Sequence, residues 1–142
     1  SSISPASSSC AGTCEMTSTM IGYVTLGTND LPRAAKFYDA LFALIGAKRF
    51  MDTERSIAWS TGPNSGGFSV GKPFDGKPAT VGNGVMIALS VDSKEKVDAL
   101  HGKALQLGGK DEGAPGPRGT GGFYAAYFRD LDGNKLSAFY KG

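Results

Sequence analysis

The sequence predicts an α+β domain in which one strand–helix–strands unit is used twice. Three observations carry that expectation. Two stretches about 63 residues apart follow one plan. Met20-Ile21-Gly22-Tyr23-Val24-Thr25-Leu26 leads into Asn29-Asp30-Leu31 and a helical pattern through Ile45; Gly84-Val85-Met86-Ile87-Ala88-Leu89-Ser90-Val91 leads into Asp92-Ser93 and a helical pattern through Leu107. After each helix come short strand-like runs cut by Gly, Pro, Asn and Asp, the residues that supply turn conformations. Between the copies, residues 72–83 contain Pro73, Gly76, Pro78 and Gly82 and read as a linker. Copies of such a unit pair into one body, so the site of interest is expected where they meet.

Residues 1–19 are rich in Ser and Thr and lack the basic start and apolar run of a signal peptide. They read as a flexible N-terminal tail or an expression remnant, and residues 20–142 as the domain. Module one spans about 20–71. Its first strand is 20–28, and Asp30 caps a helix with Pro32 in the first turn, where a missing N–H costs little. Ala34, Phe37, Tyr38, Leu41, Leu44 and Ile45 recur at helical spacing and mark the buried face. Gly46 ends the helix. Strands are expected at 47–53, 56–61 and 67–71. Module two spans about 84–141. Its strand 84–91 precedes Asp92 and Glu95, at capping-box spacing. Val97, Leu100, Ala104 and Leu107 form the buried stripe, and Gly108-Gly109 ends the helix. A short strand near 109–113, a Gly/Pro loop through 113–122 and strands 123–129 and 134–140 complete the unit. Asp130-Leu131-Asp132-Gly133-Asn134 joins the last two, where Gly accepts positive φ in a hairpin.

Composition narrows the function classes. In 142 residues, 40% are hydrophobic, enough for a core, and 20% are charged, ordinary for a globular protein. The net charge of +2, with basic residues scattered, gives no ground for a nucleic-acid partner. No apolar run reaches the ~18 residues a membrane helix needs, so no membrane partner is expected and the cytoplasm is the default location. The two cysteines, Cys10 and Cys14, both lie in the tail. Zinc would need two further ligands and the chain has one His, so they read as incidental thiols.

Three motifs in order carry a family resemblance. Tyr23-Val24-Thr25-Leu26 before Asn29-Asp30-Leu31 and Lys36-Phe37-Tyr38 resembles the opening of the vicinal oxygen chelate superfamily, which includes glyoxalase I, bleomycin-resistance proteins and extradiol dioxygenases. Gly82-Asn83-Gly84-Val85-Met86-Ile87-Ala88-Leu89 resembles its second-module strand. Phe128-Arg129-Asp130-Leu131-Asp132-Gly133-Asn134-Lys135-Leu136 resembles its closing hairpin, with Leu131 in place of Pro. The resemblance covers roughly 20–141 and implies two βαβββ modules curling into a half-open barrel around a cavity. It also implies metal-ligand positions on the first and fourth strands of each module. These fall on Tyr23 and Met86, where His is usual, and on Ser69 and Ser137, where Glu is found. Divalent ions favour imidazole and carboxylate, so this set departs from the family and no metal cofactor is expected.

The same four residues are candidates for lining an organic-ligand cavity, with Tyr23 as a hydrogen-bonding aromatic and Met86 as an adaptable apolar wall; filling of a closed barrel is the other reading. Trp59, Phe68, Tyr124, Tyr127 and Phe139 bring aromatic surface that suits a flat ligand or an ordinary core. Alternation sends Tyr124 and Tyr127 to opposite faces. Gly116-Pro117-Arg118-Gly119-Thr120-Gly121-Gly122 opens no helix, so it lacks the physics of a phosphate cradle. It reads as a mobile loop near the cavity mouth, with Arg118 placed to meet an anion. His101 reads as a partly exposed helix histidine. The ligand-binding candidates are therefore Tyr23, Ser69, Met86, Ser137, Trp59 and Arg118, and no catalytic residue is identified. Three functions fit: a metal-independent protein binding a small organic molecule, a glyoxalase-like (lactoylglutathione lyase-like) or dioxygenase-like enzyme with a non-standard metal site, and a non-enzymatic dimeric interaction module. The resemblance implies a homodimer.

Overall fold

The computed structural model describes residues 20–142; the expected tail at 1–19, with Cys10 and Cys14, lies outside them. Module one runs β1 (Tyr23–Gly27), α1 (Leu31–Phe42), β2 (Lys48–Asp52), β3 (Ser56–Ser60) and β4 (Gly67–Gly71). Module two runs β5 (Ile87–Ser90), α2 (Lys94–Gln106), β6 (Lys110–Pro117), β7 (Phe123–Arg129) and β8 (Lys135–Lys141). The sheets have the same plan, β1-β4-β3-β2 and β5-β8-β7-β6, and β1 and β5 each lie parallel to the last strand of their module. The duplicated βαβββ architecture expected from the sequence is present. The sheets are curved and neither closes into a barrel.

Helix α1 forms where its sequence signals put it. The Asp30 carboxylate accepts the Arg33 N–H at 3.2 Å. Leu31, Ala34, Ala35, Phe37, Tyr38, Leu41 and Phe42 turn one buried face to the sheet. A single 3-10 turn, Ala43–Ile45, tightens its end, and Gly46 takes the left-handed conformation at φ 73° that stops it. Helix α2 departs from expectation at its start. Ser93 is the cap, its Oγ accepting the Lys96 N–H at 3.2 Å, while Asp92 pairs with the Lys96 ammonium at 3.1 Å. Ser93 lies three residues before that N–H, the spacing at which a side-chain oxygen reaches it. His101 is also corrected. It is buried at 7% exposure, and its Nε2 pairs with Asp111 Oδ1 on β6 at 2.8 Å. That bond, with the Gly113 N–H, holds the Asp111 carboxyl below its usual range. Strand β6 continues to Pro117, past the expected end near 113. Register shifts at Asp111/Gly113 and Gly113/Gly116 absorb the extra residues.

Both helices pack on one side of the sheets and contribute to a single core. Tyr38, Phe42, Trp59 and Phe68 from module one and Val97, Leu100, Phe128 and Leu136 from module two belong to it. Polar groups join the modules as well. Thr28 Oγ1 donates to Asp132 at 2.6 Å, the Asn29 N–H donates to Asp132 at 3.1 Å, and Asn134 Nδ2 donates to Gly27 O at 2.9 Å. Tyr38 donates its phenol to buried Asp130. The turn at 130–134 therefore does more than close a hairpin. The corresponding turn of module one bonds within itself, through Ser60 Oγ to Gly62 O and Thr61 to Ser65. Beside it a gap of about 350 Å³ runs between Val24, Phe42 and Trp59 on one side and Ile87–Ser90 on the other. No helix among the described residues is long and apolar enough to cross a membrane.

Candidate functional site

Strand alternation gives each sheet a helix side and an open side. Val24, Leu26, Phe68 and Val70 face the core, which leaves Tyr23, Thr25, Gly67 and Ser69 on the open side of module one. Leu136, Ala138, Ala126 and Phe128 face the core in module two, leaving Lys135, Ser137, Phe139, Phe123, Tyr127 and Arg129 on its open side. Tyr124 joins the core side, so the two tyrosines of β7 do part as alternation requires.

The register makes the modules' positions equivalent. Ser69 pairs with Thr25 across β4 and β1, and Ser137 pairs with Ala88 across β8 and β5. Tyr23 and Met86 each lie two residues before those partners. All four candidate positions therefore fall on the open sides, but not in one place. Tyr23 and Ser69 line a cavity of about 370 Å³ with Thr25, Phe50, Met51, Ser56 and Ala58. Met86 lines another of about 470 Å³ with Val81, Val85, Arg129 and Lys135. Ser137 stands opposite Ala88 and Tyr127.

The two serines share an unusual state. Ser69 is 4% exposed and Ser137 2%, and neither hydroxyl has a hydrogen-bond partner among the described residues. A polar group that is buried without a partner is uncommon and calls for an explanation.

Trp59 is placed elsewhere. Its ring packs on Tyr38 and Phe42, each at 5.6 Å, and its indole N–H donates to Asp39 at 2.9 Å. Arg49 clasps the same carboxylate and holds it below the usual range. Trp59 thus belongs to the core side, away from Tyr23 and Ser69. Arg118 closes the turn after β6, its N–H donating to Phe123 O at 2.7 Å. Its guanidinium donates to the carbonyls of Ala114, Gly116 and Pro117 and lies 5.4 Å from the Tyr127 ring centre.

Sequence reasoning missed Phe50, Met51 and Lys135. A register shift between Arg49 and Met51 breaks the alternation of β2 and lets Phe50 reach over Gly67, where a Cβ would meet its ring at 3.1 Å. No period-two pattern announces a bulge.

The four candidate positions do not fit the family's divalent ion: a phenol, a thioether and two hydroxyls replace imidazole and carboxylate. Among the described residues, no group of three or more His, Cys, Asp or Glu side chains is placed to hold one.

Duplicated βαβββ modules with open sheet faces are the class this architecture defines. Residues 20–137 match the family model described as Glyoxalase/Bleomycin resistance protein/Dioxygenase superfamily, and the chain belongs to that superfamily. A glyoxalase/bleomycin resistance protein from Albidiferax ferrireducens T118 is 36% identical, with a TM-score of 0.79 over 87% of this chain and 100% of that one. A hypothetical protein from S. aureus is 28% identical, with a TM-score of 0.65 over 86% and 92% of the two chains. Lactoylglutathione lyase from Agrobacterium tumefaciens shares the fold at 21% identity, with a TM-score of 0.62 over 86% and 93%. Among curated proteins, none matches the chain.

Proposed function

We propose that the chain binds a small organic molecule on the open faces of its modules, without the divalent ion that the family resemblance implies. The observation that carries this reading is the pair of buried, unpartnered hydroxyls at equivalent positions, Ser69 and Ser137. Each costs about 1–3 kcal/mol while unsatisfied, and a ligand atom that bonds it recovers that loss. Around Ser69, Tyr23, Phe50, Met51 and Ala58 supply apolar walls, the lining expected of an organic-ligand site. The open faces also leave Tyr23 70%, Phe50 62% and Met86 42% exposed. A second copy, laid with its module two against this module one, covers them and closes the cavity, so the binding form is a homodimer.

N-phenyl-1-naphthylamine, an uncharged aromatic whose fluorescence rises in apolar surroundings, is a suitable probe. It should bind, and a chelator should leave its binding intact. Ser69→Ala should raise the melting temperature of the protein without ligand, by removing the orphaned hydroxyl. Elemental analysis after dialysis should find no stoichiometric Ni, Zn, Fe or Mn. One such ion per chain would overturn the reading and bring a metal-dependent lyase or dioxygenase to the front.

A further inference from the structure

The open side of module two carries charges that the chain does not balance. Arg129 on β7 and Lys135 on β8 are direct cross-strand partners, a placement in which like charges destabilise a sheet. Glu112 relieves only one of them, accepting from Arg129 Nε at 3.3 Å, while Arg129 Nη1 donates to Gly133 O at 2.8 Å. Lys135 has no carboxylate partner among the described residues; its Nζ lies over the Tyr127 ring at 5.6 Å. Arg118 comes to that same ring and is held only by backbone carbonyls. The strands of module two contain one other acidic residue, Asp111, and it is turned to His101 on α2. Of these three cations only Arg129 is paired with a carboxylate among the described residues, Glu112. Beside Arg129 and Lys135 opens the cavity of about 470 Å³, whose wall continues through Asn83 and two glycines and presents apolar side chains at Val81, Val85 and Met86.

We propose that Lys135, with Arg129, recognises the oxyanion end of the bound organic molecule, whose apolar body lies against Val85 and Met86. The inference rests on the binding function proposed above, whose homodimer sets module two of one copy over the Ser69 cavity of the other, and it narrows the ligand between them to an amphipathic organic anion. The anion lowers the repulsion between Arg129 and Lys135 and supplies the charge that Glu112 alone does not.

The test compares two probes that share one arene: 8-anilinonaphthalene-1-sulfonate, which carries an oxyanion, and N-phenyl-1-naphthylamine, which does not. The sulfonate should bind the protein about tenfold more tightly at low salt, the equivalent of about 1.4 kcal/mol. Raising KCl from about 20 to about 300 mM should weaken the sulfonate and leave the neutral probe unchanged. Lys135→Gln should remove most of the preference and Arg129→Gln part of it. Lys77→Gln, in a separate depression lined by Arg55 and Lys72, should remove none. The melting temperature of Lys135→Gln should hold or rise, because a repulsion is gone, so that lost binding is not lost folding. Inorganic phosphate should displace the sulfonate only weakly; displacement at equal concentration would show a site for free anions and overturn the proposal. Equal affinity for the two probes, or a preference that survives Lys135→Gln, also overturns it while leaving the organic-ligand reading standing. Failure of both probes to bind overturns both.

Discussion

Tyr38 and Asp130 meet inside the protein, and their meeting fixes the chemistry of both. Asp130 accepts the N–H groups of Asp132 and Asn134 at 2.9 and 2.8 Å, the Asn134 side-chain amide at 3.1 Å and the Tyr38 phenol. A buried carboxylate surrounded by donors is tolerated because its lone pairs are used. Burial, and then the adjacent Asp130 charge, push the Tyr38 phenol well above its ordinary value of 10.0. Tyr38→Phe strips one donor from that carboxylate and should cost about 1–3 kcal/mol in urea denaturation near neutral pH. The pH dependence has a definite sign. With its folded pKa raised, Tyr38 keeps its proton in the native state after the unfolded chain has released its own. Wild type therefore loses stability as pH rises above about 10, and the Phe variant lacks that loss. The gap between them should narrow in alkaline urea titrations; a widening gap would mean that the folded phenol is already ionised. Each residue was legible by itself, Tyr38 on a buried helix face and Asp130 at a hairpin. Their contact was not, because 92 residues separate them and no local pattern spans that distance.

At the scale of the element, α2 shows where local signals compete. Asp92 and Glu95 have capping-box spacing, yet Ser93 makes the bond. Ser93→Ala should cost about 0.5–2 kcal/mol, the usual range for a lost cap. Asp92→Ala removes an exposed pair with Lys96 and should cost only about 0.3–0.5 kcal/mol. Thermal denaturation of the two variants ranks them, and the reverse order would return the cap to Asp92. Adjacent polar residues at a helix start both look like caps in a sequence, and only the backbone orientation decides. β2 and β6 were hard to read for another reason. Bulges break the alternation that marks a strand, so the placement of Phe50 and the length of β6 escaped the pattern. The regular helices and the strands β1, β4, β7 and β8 followed their periodicity closely.

For the whole molecule, a duplicated plan in the sequence corresponds to a duplicated plan in space. The open-side location of Tyr23, Ser69, Met86 and Ser137 came from the family resemblance; the division of that face between an aromatic, hydroxyl-bearing half and a cationic half needed the strand register. Both modules share one core, so they should unfold together. Trp59, the single tryptophan, reports module one by fluorescence, and far-UV circular dichroism reports both modules. Their melting curves should coincide. A tryptophan transition that precedes or follows the dichroism would show that the modules are held together only loosely.

The bonds between the modules also impose an order in time. Thr28 finds its acceptor 104 residues further along the chain, and Tyr38 finds its own 92 residues on. Ribosomes add roughly 5–20 residues per second, so the donors leave the exit tunnel roughly 5–20 s before Asp130 and Asp132 do. Throughout that interval, no later part of the same chain can accept from the Thr28 hydroxyl, the Asn29 N–H or the Tyr38 phenol. A newborn module one is thus left with an unfinished flank, and a neighbouring nascent chain that has already delivered its own 130–134 turn can dock there first.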